Sequence, residues 1–353
     1  RTKARHPRIL STFAEEGHQH PPMSIRLVGQ RFLIDSYVLQ SFTFDKVQTH
    51  FGTEPEKPFT LSLTRDGRKV RGVPRAYDVM AHLGSPEALK QLLLDGDLDY
   101  TGYRDQMKRL DQERLQLRAP ATFYNRYLSA VSENLMGTNY GNGVPNLRLT
   151  SSVGAWASLR HDVVAYAKQS YTSVGRGMPM SLPLPSRVPV MRVAPAAPVF
   201  RHLGQAIRLI LPTFENESSH RQLLAGQQLL ETLDLLERTA GTGPLTETDA
   251  MQLAKAIRDW ADGPPQVLIT DVHTDANSNE VLEVGVGRSA TISIEEEDGG
   301  QPSKGVVFSV YEFRLPLSQR LTDEAWREML KNKAGSLRKL TLFLSPPKST
   351  NTP

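Results

Sequence analysis

The stretch that decides the fold is QVLITDVHTDANSNEVLEVGVGRSATISIEEEDGGQPSKGVVFSVYEF, residues 266–313. It follows Pro264-Pro265 and changes the texture of the chain. Gln266 to Thr270, Val281 to Gly285, Ala290 to Glu295 and Val306 to Phe313 alternate, carry β-branched residues and read as strands. Asp275 to Asn279 and Asp298-Gly299-Gly300 read as the hairpin turns between them. A helix follows Thr322, and Leu340 to Leu344 reads as one more strand.

Upstream, the period is helical. Ser24 to Phe44 reads as an apolar lead-in and a helix through Leu33, Tyr37, Val38 and Ser41. Ser85-Pro86-Glu87 combines an N-cap hydroxyl, a proline at the first helical position and an acid at the positive end of the dipole. Tyr103 to Leu117, the stripe Phe123, Tyr127, Val131, Leu135, and Ser152 to Tyr171 are further helices, separated by a loop at Gly137 to Pro145. Val199 to Pro212, His220 to Thr239 and a helix capped by Thr246 complete the set. Gly52 to Gly72, charged and turn-rich, reads as a surface excursion.

The expected class is therefore α+β, a mainly helical body with a C-terminal antiparallel β-module. The organisation reads as a basic, turn-rich lead-in (1–23), a helical region (24–174), a proline-rich connector (175–198), a second helical region (199–263), the β-module with a helix near its end (264–345) and a tail (346–353).

Composition closes off several function classes. With 353 residues, 39% apolar and 23% charged, the chain has the means for a sizeable core and is not disordered at large. No apolar run approaches the roughly 20 residues of a membrane-spanning helix. The absence of cysteine removes disulfides, thiolate metal sites and cysteine nucleophiles. A net charge of +4 over this length argues against a nucleic-acid partner.

The motifs that suggest chemistry are incomplete. Gly285-Val286-Gly287-Arg288-Ser289-Ala290 fits a relaxed dinucleotide pattern, but that chemistry needs a helix after the glycines, and Thr291-Ile292-Ser293-Ile294 reads as a strand. Asp275, Asn277 and Asn279 have the alternate spacing of a calcium loop without its glycine and terminal glutamate, and Asp271 joins them as a candidate metal ligand. A turn explains them better, so no cofactor is expected, calcium being the alternative the pattern leaves. His18 and His20 read as part of an exposed loop rather than a metal pair.

Taking about 100° per residue, Trp156, Leu159, Val163, Val164, Tyr166, Ala167 and Tyr171 share one arc of their helix, and Arg160 lies inside it. A guanidinium there needs a carboxylate. Glu312 is the expected partner, with Asp271 as the other candidate.

Ala155-Trp156-Ala157-Ser158-Leu159-Arg160-His161-Asp162, followed by Tyr166-Ala167-Lys168-Gln169-Ser170-Tyr171, resembles the signature of a bacterial and archaeal family known as domain of unknown function 3160. Further blocks resemble it in order: Gly29-Gln30-Arg31-Phe32, Asp78-Val79-Met80, Asp271-Val272-His273-Thr274-Asp275 and Tyr311-Glu312-Phe313. The blocks run from about residue 24 to 335. Val193-Ala194-Pro195 departs from the family, which tends to place a glutamate in the middle. Members are typically longer and often carry a secretion or lipoprotein signal. The resemblance thus implies the C-terminal part of a longer, exported bacterial protein, located outside the cytoplasm. Its partner would be its own N-terminal segment or another protein chain.

Two roles follow. One is a non-catalytic protein, structural or binding. The other is a hydrolase using carboxylates drawn from Asp162, Asp271, Glu283 and Glu312, with His273. The first is favoured because no hydrolase motif is complete.

Overall fold

The structure is a computed structural model that describes residues 33–44, 46–51, 58–64, 66–113, 121–137, 144–163, 191–215, 220–261, 267–275, 278–294 and 303–333. In chain order the elements are α1 (Ile34–Ser41), β1 (Leu61–Leu63), β2 (Lys69–Arg71), α2 (Ala76–His82), α3 (Pro86–Leu94), α4 (Tyr103–Glu113), α5 (Phe123–Met136), α6 (Val144–Val163), α7 (Ala197–Ile210), α8 (His220–Thr239), α9 (Glu247–Ala261), β3 (Leu268–Asp275), β4 (Glu280–Ile294), β5 (Ser303–Pro316) and α10 (Asp323–Lys333). The class is α+β, with an antiparallel three-stranded sheet, ordered β3-β4-β5, at the C-terminal end.

Local chemistry sets the helix starts. Ser85 Oγ accepts the Ala88 amide at 3.2 Å, with Pro86 at the first position of α3. Thr122 does the same for Asn125 at the start of α5, and Thr246 for Asp249 at the start of α9. α8 begins and ends where the leucine periodicity places it.

One apolar core runs from α1 to β5. Val38, Phe42, Met80, Leu92, Tyr124, Val153 and Trp156 from the helices join Leu268, Val272, Leu282, Val284, Val286 and Val310 from the sheet. The opposite face of the sheet carries Ile269, Tyr311 and Phe313 and is covered by Trp326 and Leu330 of α10. A third cluster, Val193, Leu235 and Leu253, holds α8 and α9 together near the end of the connector.

Three sequence expectations change. The excursion at Gly52 to Gly72 contains a hairpin, β1 paired antiparallel with β2, and Arg71 on it is fully buried. A run of charged residues reads as solvated surface unless its partners are known, and here they lie elsewhere in the chain. The strands expected at Val281 and at Ala290 are one continuous strand, β4, with a register shift between Val286 and Ser289. α6 starts at Val144, inside the expected loop. The expected ends of the helices at Leu117 and Tyr171, the turn at Asp298, the strand at Leu340, and His18 and His20 lie outside the described residues.

The glycines of the dinucleotide-like motif serve packing. A Cβ on Gly285 would sit 2.5 Å from Cζ2 of Trp326, and one on Gly287 would sit 2.5 Å from Oγ of Ser309. The Trp326 ring fills this gap and donates its Nε1 proton to the Val286 carbonyl at 2.9 Å. Gly285→Ala is therefore expected to lower stability by about 1–3 kcal/mol through overpacking. Urea unfolding checks it: a variant within about 0.5 kcal/mol of the parent would mean that Trp326 is not seated there.

Candidate functional site

Among the described residues, most of the buried charged side chains gather into three centres. The first lies around Asp35 in the opening turn of α1, which is 1% exposed. Its Oδ2 accepts from Tyr124 Oη at 2.6 Å, Trp156 Nε1 at 2.7 Å and Arg160 Nη1 at 2.7 Å, while Oδ1 accepts from the Ser36 amide at 3.0 Å. Burial, and then the carboxylate beside it, push the Tyr124 hydroxyl well above its ordinary value. Arg160 also donates to Ser36 Oγ at 3.0 Å and to the Val272 carbonyl at 3.4 Å, which ties α6 to β3. Arg160 is thus buried in the apolar arc, but the pairing expected with Glu312 is not made; the carboxylate is Asp35, 125 residues upstream.

Glu312 belongs to the second and largest centre. Arg71 and Arg75, both 0% exposed, meet four carboxyl groups there. Arg71 binds Asp78 at 2.8 Å and Asp97 at 3.1 Å; Arg75 binds Asp97 at 3.1 Å, Glu312 at 2.9 Å and Asp95. Backbone donors join in. The Arg75 amide donates to Asp78 at 2.7 Å and the Ala76 amide to Glu312 Oε1 at 2.7 Å, so two carboxylates cap the start of α2. Tyr103 donates to Asp78 at 2.7 Å and Thr60 to Asp97 at 2.6 Å. The guanidinium of Arg71 lies over the ring of Tyr103, and that of Arg75 over the ring of Tyr77. Burial pushes Asp97 up, but Arg71 and Arg75 beside it outweigh burial and hold it below the usual carboxylate range. Only Asp95 reaches the surface, its side chain 30% exposed.

Arg314 extends this centre to the hairpin. It donates to the carbonyls of Phe59 and Leu61 and to Ser62 Oγ, and pairs with Glu280. One carbonyl of β1, that of Leu61, is thereby taken by a side chain.

The third centre lies where α6 ends against β3 and α10. His161 Nδ1 meets Asp162 at 2.8 Å and Nε2 meets Asp323 at 3.0 Å. Asp323 Oδ1 accepts the Ile269 amide at 2.9 Å. Nearby, Asp271 pairs with Arg320 at 2.7 Å, and Glu283 accepts the Leu321 amide at 3.1 Å.

The candidate catalytic residues are distributed over these centres, and of them only Asp271 and Glu283 are register partners. Val284 is the register partner of Glu312, and Glu283 that of Asp271 and of Phe313. Alternation therefore sends Glu312 to the inner face of the sheet and Asp271 and Glu283 to the face under α10. A register shift between Asp271 and His273 sets His273 opposite Leu282, on the inner face. Asp162 is exposed and engaged with His161. Among these candidates the structure brings Asp271 and Glu283 to adjacent positions on the sheet. Of the calcium-like trio, Asp275 accepts Ser278 Oγ at 2.7 Å, Asn279 takes a positive φ of 56° in the turn before β4, and Asn277 lies outside the described residues. Among the described residues no group of three acidic or histidine side chains is arranged to hold a metal ion.

Sequence reading did not single out Arg71, Arg75 or Asp97. The signal available was Arg71-Gly72-Val73-Pro74-Arg75-Ala76-Tyr77-Asp78, in which a proline-led helix start carries an acid at its third position and arginines among apolar neighbours.

Comparison with known proteins found one family. No curated protein and no solved structure matches the chain. A family model described as "Protein of unknown function (DUF3160)" matches residues 2–339, further toward both ends than the blocks legible in the sequence. The chain that builds these buried arginine–carboxylate centres belongs to the DUF3160 family of proteins of unknown function.

Proposed function

We propose that this chain is a non-catalytic, exported bacterial protein with a structural or binding role, acting together with a further protein segment or chain. The observation that carries the reading is the use to which its buried carboxylates are put. Asp35 gathers three donors from α5 and α6, and Glu312 pins β5 to the start of α2. Asp323 fastens α10 to β3 and to α6. Groups used in this way join elements of the fold and are turned away from solvent, Asp35, Glu312 and Asp323 being 1%, 0% and 3% exposed. Export rests on the secretion and lipoprotein signals that family members often carry.

One observation favours the alternative of a hydrolase. Asp271 and Glu283 occupy facing positions on β3 and β4, where side chains stand about 5 Å apart at Cβ. Two carboxylates on facing positions of one sheet face are the kind of pair that acid–base and nucleophile roles need. Against it, the two residues are 2% and 0% exposed beneath the segment carrying Arg320 and Leu321.

A panel of ester, phosphoester, glycoside and peptide substrates separates the readings. The expected result is no turnover above that of the heat-denatured chain. Turnover by the wild type that disappears in Asp271→Asn, with the melting temperature kept, would overturn the non-catalytic reading and establish the hydrolase.

A further inference from the structure

The third centre has the construction of a fastening. α10 is the element that covers the outer face of the sheet, through Trp326 against Tyr311 and Phe313 at ring-centroid separations of 5.3 and 5.5 Å. Its first residue, Asp323, makes two contacts away from its own helix. One oxygen takes the Ile269 amide on the open edge of β3, and the other takes His161. His161 is 11% exposed at its side chain, and its second nitrogen meets Asp162. Both ring nitrogens therefore face carboxylate oxygens at hydrogen-bond distance, and a neutral imidazole has one proton for the two.

We propose that His161 is a proton-operated latch that fastens α10, and with it the cover of the sheet's outer face, to the helical body. With the imidazolium in place, α6, β3 and α10 are tied through one ring and one carboxylate. Loss of the proton leaves one of the two aspartates facing an acceptor nitrogen, and the tie to α10 weakens.

The charged and titratable groups around the ring are consistent with this. Arg160 and Asp162 flank it on α6, and Tyr127 of α5 lies near Asp162. Asp323, Glu324 and Arg327 come from α10, with Arg327 acting on Asp323 and pairing with Glu324 at 3.5 Å. On β3, Asp271 is taken by Arg320. The hydrogen bond to Asp162, then that to Asp323, raise His161 from 6.5 to about 9. A folded-state value above the unfolded one means that the latch contributes fully below about pH 6.5 and is lost as pH rises through about 9.

Amide hydrogen exchange on the full chain, corrected for the intrinsic pH dependence, tests the proposal. In the wild type, exchange in α10 is expected to accelerate about tenfold or more relative to α2 between roughly pH 7 and pH 10. His161→Gln is expected to exchange at the faster level throughout, without a step. A wild-type profile with no step, or a step that persists in His161→Gln, would overturn the latch. Asp162→Asn guards against a His161 variant that fails to fold, because Asp162 is 59% exposed and Asp323 stays in place. Its step is expected about one pH unit lower, and a step that does not move would also overturn the proposal.

Discussion

Asp35→Ala is expected to remove most of the stability of the helical body. Three buried donors converge on one carboxylate oxygen, so a single truncation takes that acceptor from all of them and the counter-charge from Arg160. Removing the carboxylate of a buried ion pair costs about 3–5 kcal/mol. The Tyr124 hydroxyl and the Trp156 indole N–H add about 1–3 kcal/mol each as unsatisfied buried groups. The sum approaches the whole of the 5–15 kcal/mol that holds a typical domain together. The measurement is thermal or urea unfolding followed by circular dichroism, with a loss of about 10 °C or more in melting temperature, or no cooperative transition, as the expected outcome. Asp35→Asn keeps an acceptor oxygen and should fall between wild type and Asp35→Ala. A double-mutant cycle of Asp35→Asn with Arg160→Met isolates the pair; a coupling of about 2 kcal/mol or more is expected for residues in direct contact. An Asp35→Ala chain that melts within about 3 °C of the parent would sink the account of this centre.

The same centre marks how far the sequence could be read. The burial of Arg160 was legible because helical geometry places residue 160 in the apolar arc of Trp156, and geometry of that kind is local. Its partner was not legible. Asp35 sits in the first turn of α1, where an aspartate reads as an ordinary acid facing the helix dipole. Choosing it over Glu312 or Asp271 requires knowing which helix packs on which, and no local rule supplies that across 125 residues. The contrast recurs elsewhere. Ser85-Pro86-Glu87 specifies its helix start within three residues, and the structure places α3 there. Arg71 and Asp97 lie on short elements whose charges look solvated until β1, β2, α2 and β5 close around them. The glycine at 285 gives the same lesson from the opposite side. Its pattern pointed to a nucleotide, the following strand argued against one, and its packing partner, Trp326, lies 41 residues away.

The second centre should respond asymmetrically to substitution, because two guanidiniums face four carboxyl groups among the described residues. Arg75→Gln removes the one cation shared by Asp95, Asp97 and Glu312. Asp97 and Glu312 are 0% exposed, so solvent cannot replace it. The expected loss is about 3–5 kcal/mol, the magnitude for breaking a buried pair and leaving charge behind. Asp95→Asn removes a carboxylate from the crowded side. It keeps an acceptor for Arg75, which retains Asp97 and Glu312, and it stands at the solvent-facing rim. Its expected cost is under about 1 kcal/mol, the range of a partly exposed ion pair. Glu312→Gln should lie between them, since it spares Arg75 a partner but weakens the cap on the Ala76 amide at the start of α2. Urea unfolding of the three variants gives the order directly. If Asp95→Asn were as damaging as Arg75→Gln, the centre would have to be short of negative charge rather than rich in it, and a cation would be missing from its description. If Arg75→Gln were tolerated within about 1 kcal/mol, Glu312 would be satisfied by the Ala76 amide and Asp97 by Arg71 and Thr60, and Arg75 would be a packing element with an incidental charge.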